Sequence, residues 1–211
     1  SRIKSDGGVA KVLCIAEGEG RNACFLASKG FEVTAVDQSA QGLAKTKQLG
    51  KTLGVEITTI EADLEHFEIE PASWDGIVSI SAHLPPGLRK KVHRQIVSGL
   101  KPGGTLILEA YTEKHLDMPG IGGPPVHQKE MFMALAELEH ELEGLDFIIA
   151  QETERHLHEG KYHQVKRMFA ALGNKVEALH RERIGEIEMD ESLELGEYRY
   201  LTQEEVDSIW K

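Results

Sequence analysis

Cysteine is scarce in this chain, and its scarcity limits both the chemistry and the surroundings that we expect. The 211 residues include only two cysteines, Cys14 and Cys24. This pair forms neither a metal-binding pattern nor a disulfide framework, so we expect a reducing, cytoplasmic location. Long apolar runs are also missing, so we expect neither a membrane span nor a signal peptide in this sequence.

Positive charge is also in short supply. Lysine and arginine total 24 against 35 aspartate and glutamate residues, which gives a net charge of −11. Binding to nucleic acid needs a basic surface, so we expect no nucleic acid and no membrane as a partner. The remaining class is a protein that acts on a small molecule.

The acidic residues are concentrated near the end of the chain. Residues 176–211 hold 11 acids and 4 bases, so we predict an acidic C-terminal extension that follows a domain spanning residues 1–175. A solvated tail is one interpretation of this extension. A dimerisation arm that makes the chain a homodimer is the other, and it rests on apolar residues that look exposed: Leu193, Leu195, Tyr198, Tyr200 and Trp210.

Strand and helix patterns alternate through the first half of the chain, which is typical of an α/β fold with a parallel sheet. The predicted strands are Lys11–Ala16, Glu32–Val36, Glu56–Glu61, Gly76–Ser81 and Gly104–Ala110. The predicted helices between them are Arg21–Lys29, Ala40–Leu53 and Gly87–Leu100. All of these lie before Tyr111, where the rhythm changes.

After a loop from Pro119 to Pro125, the pattern predicts a helix over 128–142 and two strands, Phe147–Leu157 and Val165–Leu172. The short connection Glu159–Tyr162 between these strands indicates a hairpin. We therefore predict a Rossmann-like, seven-stranded, mostly parallel sheet with an antiparallel C-terminal hairpin and helices on both faces.

The stretch from Val12 to Gln38 carries the strongest functional signal. A buried strand stops at Gly18-Glu19-Gly20, and glycines let the backbone turn tightly and let a ligand approach. Asp37 ends the second strand, where a carboxylate can accept both hydroxyls of a ribose. The pattern predicts a nucleoside cofactor, and the spacing up to Ala23 also satisfies the relaxed dinucleotide fingerprint.

Three later features favour S-adenosylmethionine over NAD. Asp63 follows the third strand, where it can bond to the amine of an adenine. Lys101-Pro102-Gly103-Gly104 stops a helix and leads straight into a strand. The predicted closing hairpin is expected of methyltransferases and not of NAD domains.

On these residues the chain resembles the class I S-adenosylmethionine-dependent methyltransferases, and within them the small-molecule branch related to the tellurite-resistance methyltransferase TehB. The resemblance covers about residues 11–175, and its carriers include the run from Val12 to Ala23 and the later Glu159–His163. The chain departs from the family pattern at Cys14, which replaces an acid, and at Ala16, which replaces a glycine. Family members also carry a lid segment before the first strand, whereas ten residues precede Lys11 here.

The resemblance places the cofactor in the crevice between the first and fourth strands, with the start of the first helix facing the methionine carboxylate. The implied cofactor-binding residues are Glu17, Gly18, Gly20, Arg21, Asp37, Gln38, Asp63, Leu64 and Ser81. His83 and Tyr111 follow the fourth and fifth strands, so they are the candidates for contact with the acceptor or for catalysis. His156, His158 and His163 lack the partners of a clear metal site, so we predict no metal.

Methyl transfer to a soft nucleophile needs little base. We therefore predict a cytoplasmic methyltransferase whose acceptor is a small molecule such as a thiol, tellurite or a related soft nucleophile. Two alternatives remain open: a cofactor-binding protein without catalysis, suggested by Cys14 and Ala16, and an NAD-dependent oxidoreductase.

Overall fold

The computed structural model divides the chain into two compact units, Ser1–Thr153 and Glu154–Lys211. The structure describes residue 3, the ranges 7–117, 123–153, 183–184 and 187–188, and residue 202. The predicted domain boundary after Lys175 falls outside these residues and stays a prediction.

A five-stranded parallel sheet forms the centre of the first unit. Its strands are β1 (Lys11–Ile15), β2 (Glu32–Asp37), β3 (Thr58–Glu61), β4 (Trp74–Ile80) and β5 (Leu100–Glu109). Their order is β3-β2-β1-β4-β5, and every neighbouring pair is parallel. The α/β fold and the five predicted strands are confirmed, with bounds that shift by a few residues.

Strand β1 lies at the centre of the sheet and is buried from Val12 to Ile15. Its side chains alternate between two cores, because successive residues of a strand point to opposite faces. Leu13 and Ile15 belong to one apolar cluster, whereas Val12 and Cys14 belong to the other. A strand that is buried on both faces is apolar along its whole length, so its sequence predicts it well.

Three predicted helices are confirmed: α1 (Arg21–Ser28), α2 (Ala40–Leu53) and α3 (Pro86–Gly99). The hydroxyl of Ser39 caps α2 by accepting a hydrogen bond from the Gly42 N–H at 3.0 Å. A side-chain cap of this kind satisfies one of the free N–H groups that begin every helix.

The single helix predicted over 128–142 is wrong. The chain instead forms a 3-10 helix, Val126–Met131, and a separate short helix, α4 (Leu135–Glu141). Between them Phe132 is extended and, like Met133, only 3% exposed. Burying both neighbouring side chains interrupts the helix, a tertiary effect that helical periodicity does not reveal.

The strand predicted from Phe147 is also wrong over its described part, residues 147–153, which contain no strand. Ile148 and Ile149 are 72% and 64% exposed. A strand needs a hydrogen-bonded neighbour, and within the described residues of the first unit the sheet ends at β5. The rest of that strand, the strand Val165–Leu172 and the hairpin turn lie outside the described residues.

In the second unit, the described residues include a short antiparallel pair of strands, Arg183–Ile184 and Ile187–Glu188. Across the described part of both units, no helix is long and apolar enough to cross a membrane.

Candidate functional site

The strand order reverses between β1 and β4, which run side by side at the centre of the sheet. In open α/β sheets, ligands bind at such a switch point, beyond the carboxyl ends of the strands. The switch point of the strand order therefore lies between the two strands that the prediction named, and the cofactor crevice there stays a prediction. The turn after β1 and the segment after β4 both lie at this edge.

The two glycines of the turn after β1 have different roles. Both adopt the left-handed conformation, with φ of 64° at Gly18 and 83° at Gly20. A Cβ on Gly20 would lie 2.6 Å from Thr46 Oγ1, so this glycine is required by the packing of α2. A Cβ on Gly18 would meet no heavy atom within 4 Å. Gly18 therefore borders open space that a ligand can use.

Asp37, at the end of β2, reaches across to this turn. One carboxylate oxygen accepts a hydrogen bond from Gly18 N–H and the other accepts one from Ser39 N–H, both at 2.8 Å. Each carboxylate oxygen has a second lone pair, so two acceptor positions remain for a ligand's hydroxyls. Because Ser39 caps α2, Asp37 is not needed as the helix cap.

Glu17 lies at the start of helix α1, where we expected the carboxylate of the cofactor. Its carboxylate accepts a hydrogen bond from Ala23 N–H at 2.8 Å, so it occupies part of the α1 N-terminus that we expected to face the cofactor's carboxylate. Burial raises the pKa of Glu17, although backbone hydrogen bonds from Ala23 and Asn22 oppose the shift. The Glu17 carboxylate thus lies at the start of α1, where the helix dipole favours negative charge.

The other predicted cofactor residues are more dispersed. Leu64 is buried in the apolar core. Asp63 is exposed and accepts a hydrogen bond from Glu65 N–H, which shapes its own loop. Gln38 and Arg21 are exposed, next to Asp37 and at the start of α1. Arg21 follows the glycine turn directly and Gln38 follows β2, whereas Asp63 and Leu64 follow β3.

The segment after β4 forms a second group. Ser81, His83 and Tyr111 come together around a pocket of about 360 Å³. Its remaining lining residues are Gly123, Pro124, Pro125, Gln128 and Met131. Ser81 has a φ of 59°, a strained conformation for a residue with a side chain. The predicted acceptor residues His83 and Tyr111 thus share one cavity, and Ser81, which we predicted as a cofactor contact, lines that same cavity.

Both ring nitrogens of His83 are engaged by the main chain. Nδ1 donates to the Met131 carbonyl at 3.1 Å, and Nε2 accepts from Tyr111 N–H at 3.4 Å. This pairing requires the neutral ring with its proton on Nδ1. Burial lowers the pKa of His83, which also favours the neutral form. The role of His83 as a base stays a prediction, and the hydrogen bonds show it to be a bridge between two backbone segments.

Sequence reasoning missed a buried charged group beside this pocket. Arg89 on α3 is 3% exposed and bonds to Glu141 on α4, with 2.7 Å between Nη2 and Oε1. His93 Nδ1 donates to the other oxygen of Glu141, also at 2.7 Å. The one available signal is the spacing of Glu137 and Glu141, which puts two acids on the same face of a helix.

The three histidines considered for a metal lie outside the described residues. Within the described ranges, no group of three or more His, Cys, Asp or Glu residues is placed to hold a metal ion. Cys14 is buried, and its burial together with the nearby Glu17 carboxylate raises the pKa of its thiol. Cys14 thus serves as an apolar core residue in the position where an acid was expected.

Comparison with known proteins decides what this arrangement is. Residues 12–104 match the family described as the methyltransferase domain. This stretch, somewhat less than half of the chain, is similar to methyltransferase domains. Of the two cofactors that the glycine turn allowed, the match favours S-adenosylmethionine, a methyl donor, over a nicotinamide dinucleotide. The open space beside Gly18 and the two remaining acceptor positions of the neighbouring Asp37 carboxylate fit a nucleoside.

Solved structures agree on the fold of the methyltransferase domain. TehB from Haemophilus influenzae superposes with a TM-score of 0.59 at 22% identity, over 72% of this chain and 51% of that one. A structure from work on the conversion of a disulfide bond into a thioacetal group during echinomycin biosynthesis gives a TM-score of 0.50 at 14% identity, over 63% of this chain and 60% of that one. At these identities the likeness concerns the fold alone.

The curated relatives are enzymes of a different class, and they match this chain over short segments. A ribosomal small subunit pseudouridine synthase A from Vibrio vulnificus is 87% identical over 55 residues, which are 26% of this chain and 24% of that protein. The same enzyme from Vibrio cholerae is 72% identical over 67 residues, 32% of this chain and 29% of that protein. The chain thus spans about a quarter of the length of these relatives.

Proposed function

We propose that this protein is an S-adenosylmethionine-dependent methyltransferase whose acceptor is a small, uncharged thiol or a related soft nucleophile. The observation that carries the proposal is the pairing of two sites at one edge of the sheet. Gly18 and Asp37 form the cofactor side, and the pocket of Ser81, His83 and Tyr111 forms the acceptor side.

On the cofactor side, Asp37 would accept the ribose hydroxyls, and Gly18 would let the rest of the molecule pass close to the backbone. When bound there, S-adenosylmethionine supplies a methyl group on a positively charged sulfur. Asp63 after β3 is the proposed contact for the adenine. The chain would hold the acceptor sulfur in line with the methyl group and exclude water from that path. The new carbon–sulfur bond would form as the methyl–sulfonium bond breaks, and the thiol's proton would pass to bulk solvent.

The acceptor pocket favours an uncharged molecule. Among the described residues that line it, none is Lys, Arg, Asp or Glu, and the two hydrogen bonds of His83 require its neutral ring. A compact oxyanion such as tellurite would lose its hydration without gaining a cationic side chain among the described lining residues, which is costly. An uncharged thiol loses far less hydration free energy when it enters the pocket, so we propose a thiol rather than tellurite as the acceptor.

Methyl transfer tests this proposal. The chain is incubated with radiolabelled S-adenosylmethionine and a panel of small alkyl and aryl thiols, tellurite and selenite. We expect label in the thioethers and a much slower reaction with both oxyanions. Turnover with the oxyanions alone would overturn the acceptor class. Cofactor binding without turnover on any acceptor would favour the non-catalytic binding protein.

A second candidate function concerns the second unit. The family match occupies residues 12–104, and residues 105–153 are fewer than the 55 that match the pseudouridine synthase. A match that lies apart from the methyltransferase domain must therefore extend into Glu154–Lys211. We infer that this unit shares its ancestry with a ribosomal RNA-modifying enzyme and contacts RNA.

One basic stretch within the second unit, which is acidic as a whole, supports that inference. Residues 161–183 hold two acids, Glu177 and Glu182, against six bases: Lys161, Lys166, Lys175, Arg167, Arg181 and Arg183. Such a basic stretch suits phosphate contacts, although the whole chain is acidic. A gel-shift experiment with small-subunit ribosomal RNA at 50 and 200 mM salt tests the idea. We expect binding that weakens with salt, and no shift at 50 mM would contradict it.

A further inference from the structure

Three successive carbonyl groups beside the acceptor pocket are held by side chains from another part of the chain. Glu130 and Phe132 carbonyls accept hydrogen bonds from Arg89 Nη1 at 3.3 and 3.2 Å. The Met131 carbonyl between them accepts from His83. Main-chain groups at the end of a 3-10 helix lack helical partners, so these contacts decide where the segment lies.

Arg89 uses every donor it has. Nη1 reaches the two carbonyls, Nη2 reaches Glu137 and Glu141, and Nε reaches Glu141. The guanidinium is therefore held in one plane by acids on α4 while it points its other edge at the segment 130–132. A lysine has no such planar fork and could hold only part of this set.

The held segment is a wall of the acceptor pocket. Gln128 and Met131 line the cavity directly, next to His83 and Tyr111. One residue beyond the held carbonyls, Met133 N–H donates to the Tyr111 carbonyl at 3.0 Å. A shift of residues 130–132 would therefore move both the wall of the cavity and the aromatic residue at the end of β5.

We propose that Arg89 is a positioning residue for the acceptor: it fixes the pocket wall at Gln128 and Met131 through the Glu130 and Phe132 carbonyls. This inference rests on the proposed function, because the cavity is taken as the acceptor site. Arg89 makes no described contact with Gly18 or Asp37, so its effect is confined to the acceptor side. The proposal thus separates acceptor recognition from cofactor binding.

The test compares Arg89→Lys with Arg94→Lys, an exposed arginine on the same helix. With the best thiol of the panel, we expect the acceptor kcat/KM of Arg89→Lys to fall about 10- to 100-fold, as displacements of about 1 Å do. The KM for S-adenosylmethionine and the affinity for S-adenosylhomocysteine should stay within about twofold, because the cofactor side keeps its contacts. Arg94→Lys should match the wild type in every readout.

Amide hydrogen exchange gives a readout that needs no acceptor. We expect the Met133 amide to exchange at least about tenfold faster in Arg89→Lys, because its bond to Tyr111 loosens, while the β1 amides keep their protection. If Arg89→Lys does not fold, Glu137→Gln replaces it, since Glu137 is an exposed partner of the same guanidinium. Glu137→Gln should show the same changes in acceptor kcat/KM and in Met133 exchange, but smaller ones.

The outcomes separate the two proposals. If no thiol is methylated but Met133 exchange rises, the acceptor class fails and the positioning of the wall by Arg89 stands. If a thiol is methylated and Arg89→Lys changes neither the acceptor kcat/KM nor Met133 exchange, the positioning role is wrong. Equal losses for acceptor and cofactor would also contradict it, because they indicate a general loss of structure.

Discussion

At the scale of single residues, the turn after β1 shows a balance between strain and binding. Ala16 lies in the left-handed region with a φ of 49°, at the position where the resembling family has glycine. An L-residue with a side chain pays about 1–2 kcal/mol for that conformation. The chain tolerates this cost at the edge of its cofactor site.

Replacing Ala16 by glycine should therefore relieve strain. The gain is partly offset by the greater freedom of glycine in the unfolded chain, so we expect stabilisation of up to about 1 kcal/mol. Ala44→Gly is the matched control, since Ala44 is exposed within α2 and should lose about 1 kcal/mol. Urea unfolding measures the free energy of unfolding of both variants. A loss of stability in Ala16→Gly as large as that in Ala44→Gly would contradict the strain at Ala16.

Residues that act through a local pattern were the ones that the sequence predicted. Gly18, Gly20 and Asp37 occupy the turn and strand end that their spacing indicates, and Asp37 contacts Gly18 directly. The hydrogen bonds of His83 were not predictable, because Met131 is remote in sequence and its carbonyl carries no residue-specific signal. The same holds for Arg89, whose partners lie on another helix.

At the scale of elements, α3 and α4 are joined by a buried charged group. Glu141 is held by Arg89 and His93, and all three side chains are 3–4% exposed. Burial raises the pKa of Glu141, but the hydrogen bonds and charges of Arg89 and His93 outweigh it, so its pKa lies below the usual range. A carboxyl group with a lowered pKa stabilises the fold above its ordinary pKa and loses this effect as the pH falls.

Removing the charge of Glu141 should destabilise the first unit. Glu141→Gln leaves Arg89 buried without its main partner, and we expect a loss of about 3 kcal/mol at pH 7. The difference from the wild type should shrink as the pH falls through the lowered pKa of Glu141, because the wild-type carboxyl then also becomes neutral. Urea unfolding between pH 7 and 3 measures this, and a constant difference would show that the charge is not the cause.

The elements themselves were predicted where a local period suffices. The buried run of β1 and the period of α2 both predict their elements well. The helix over 128–142 failed, because burial of Phe132 and Met133 overrides the local preference. The strand from Phe147 failed for a similar reason, since apolar sequence alone does not supply a strand with a neighbour.

At the scale of the whole molecule, the chain divides into two compact units, and the match to the methyltransferase domain lies within the first. We expect two unfolding transitions in calorimetry. S-adenosylhomocysteine at about 100 times its Kd should stabilise only the first unit, by about 2.7 kcal/mol. The transition temperature of the second unit should not change. A single transition that shifts as a whole would contradict the independence of the units.

The central claim is that the glycine turn and Asp37 bind S-adenosylmethionine, and titration calorimetry with S-adenosylhomocysteine tests it most directly. Asp37→Ala removes the proposed ribose acceptor and should weaken binding by about 2–3 kcal/mol, or roughly 30- to 150-fold. Glu19→Ala, an exposed neighbour in the same turn, should bind like the wild type. The account predicts tight binding that Asp37→Ala abolishes or greatly weakens. No binding by the wild-type chain, or equal affinity of Asp37→Ala and the wild type, would contradict it.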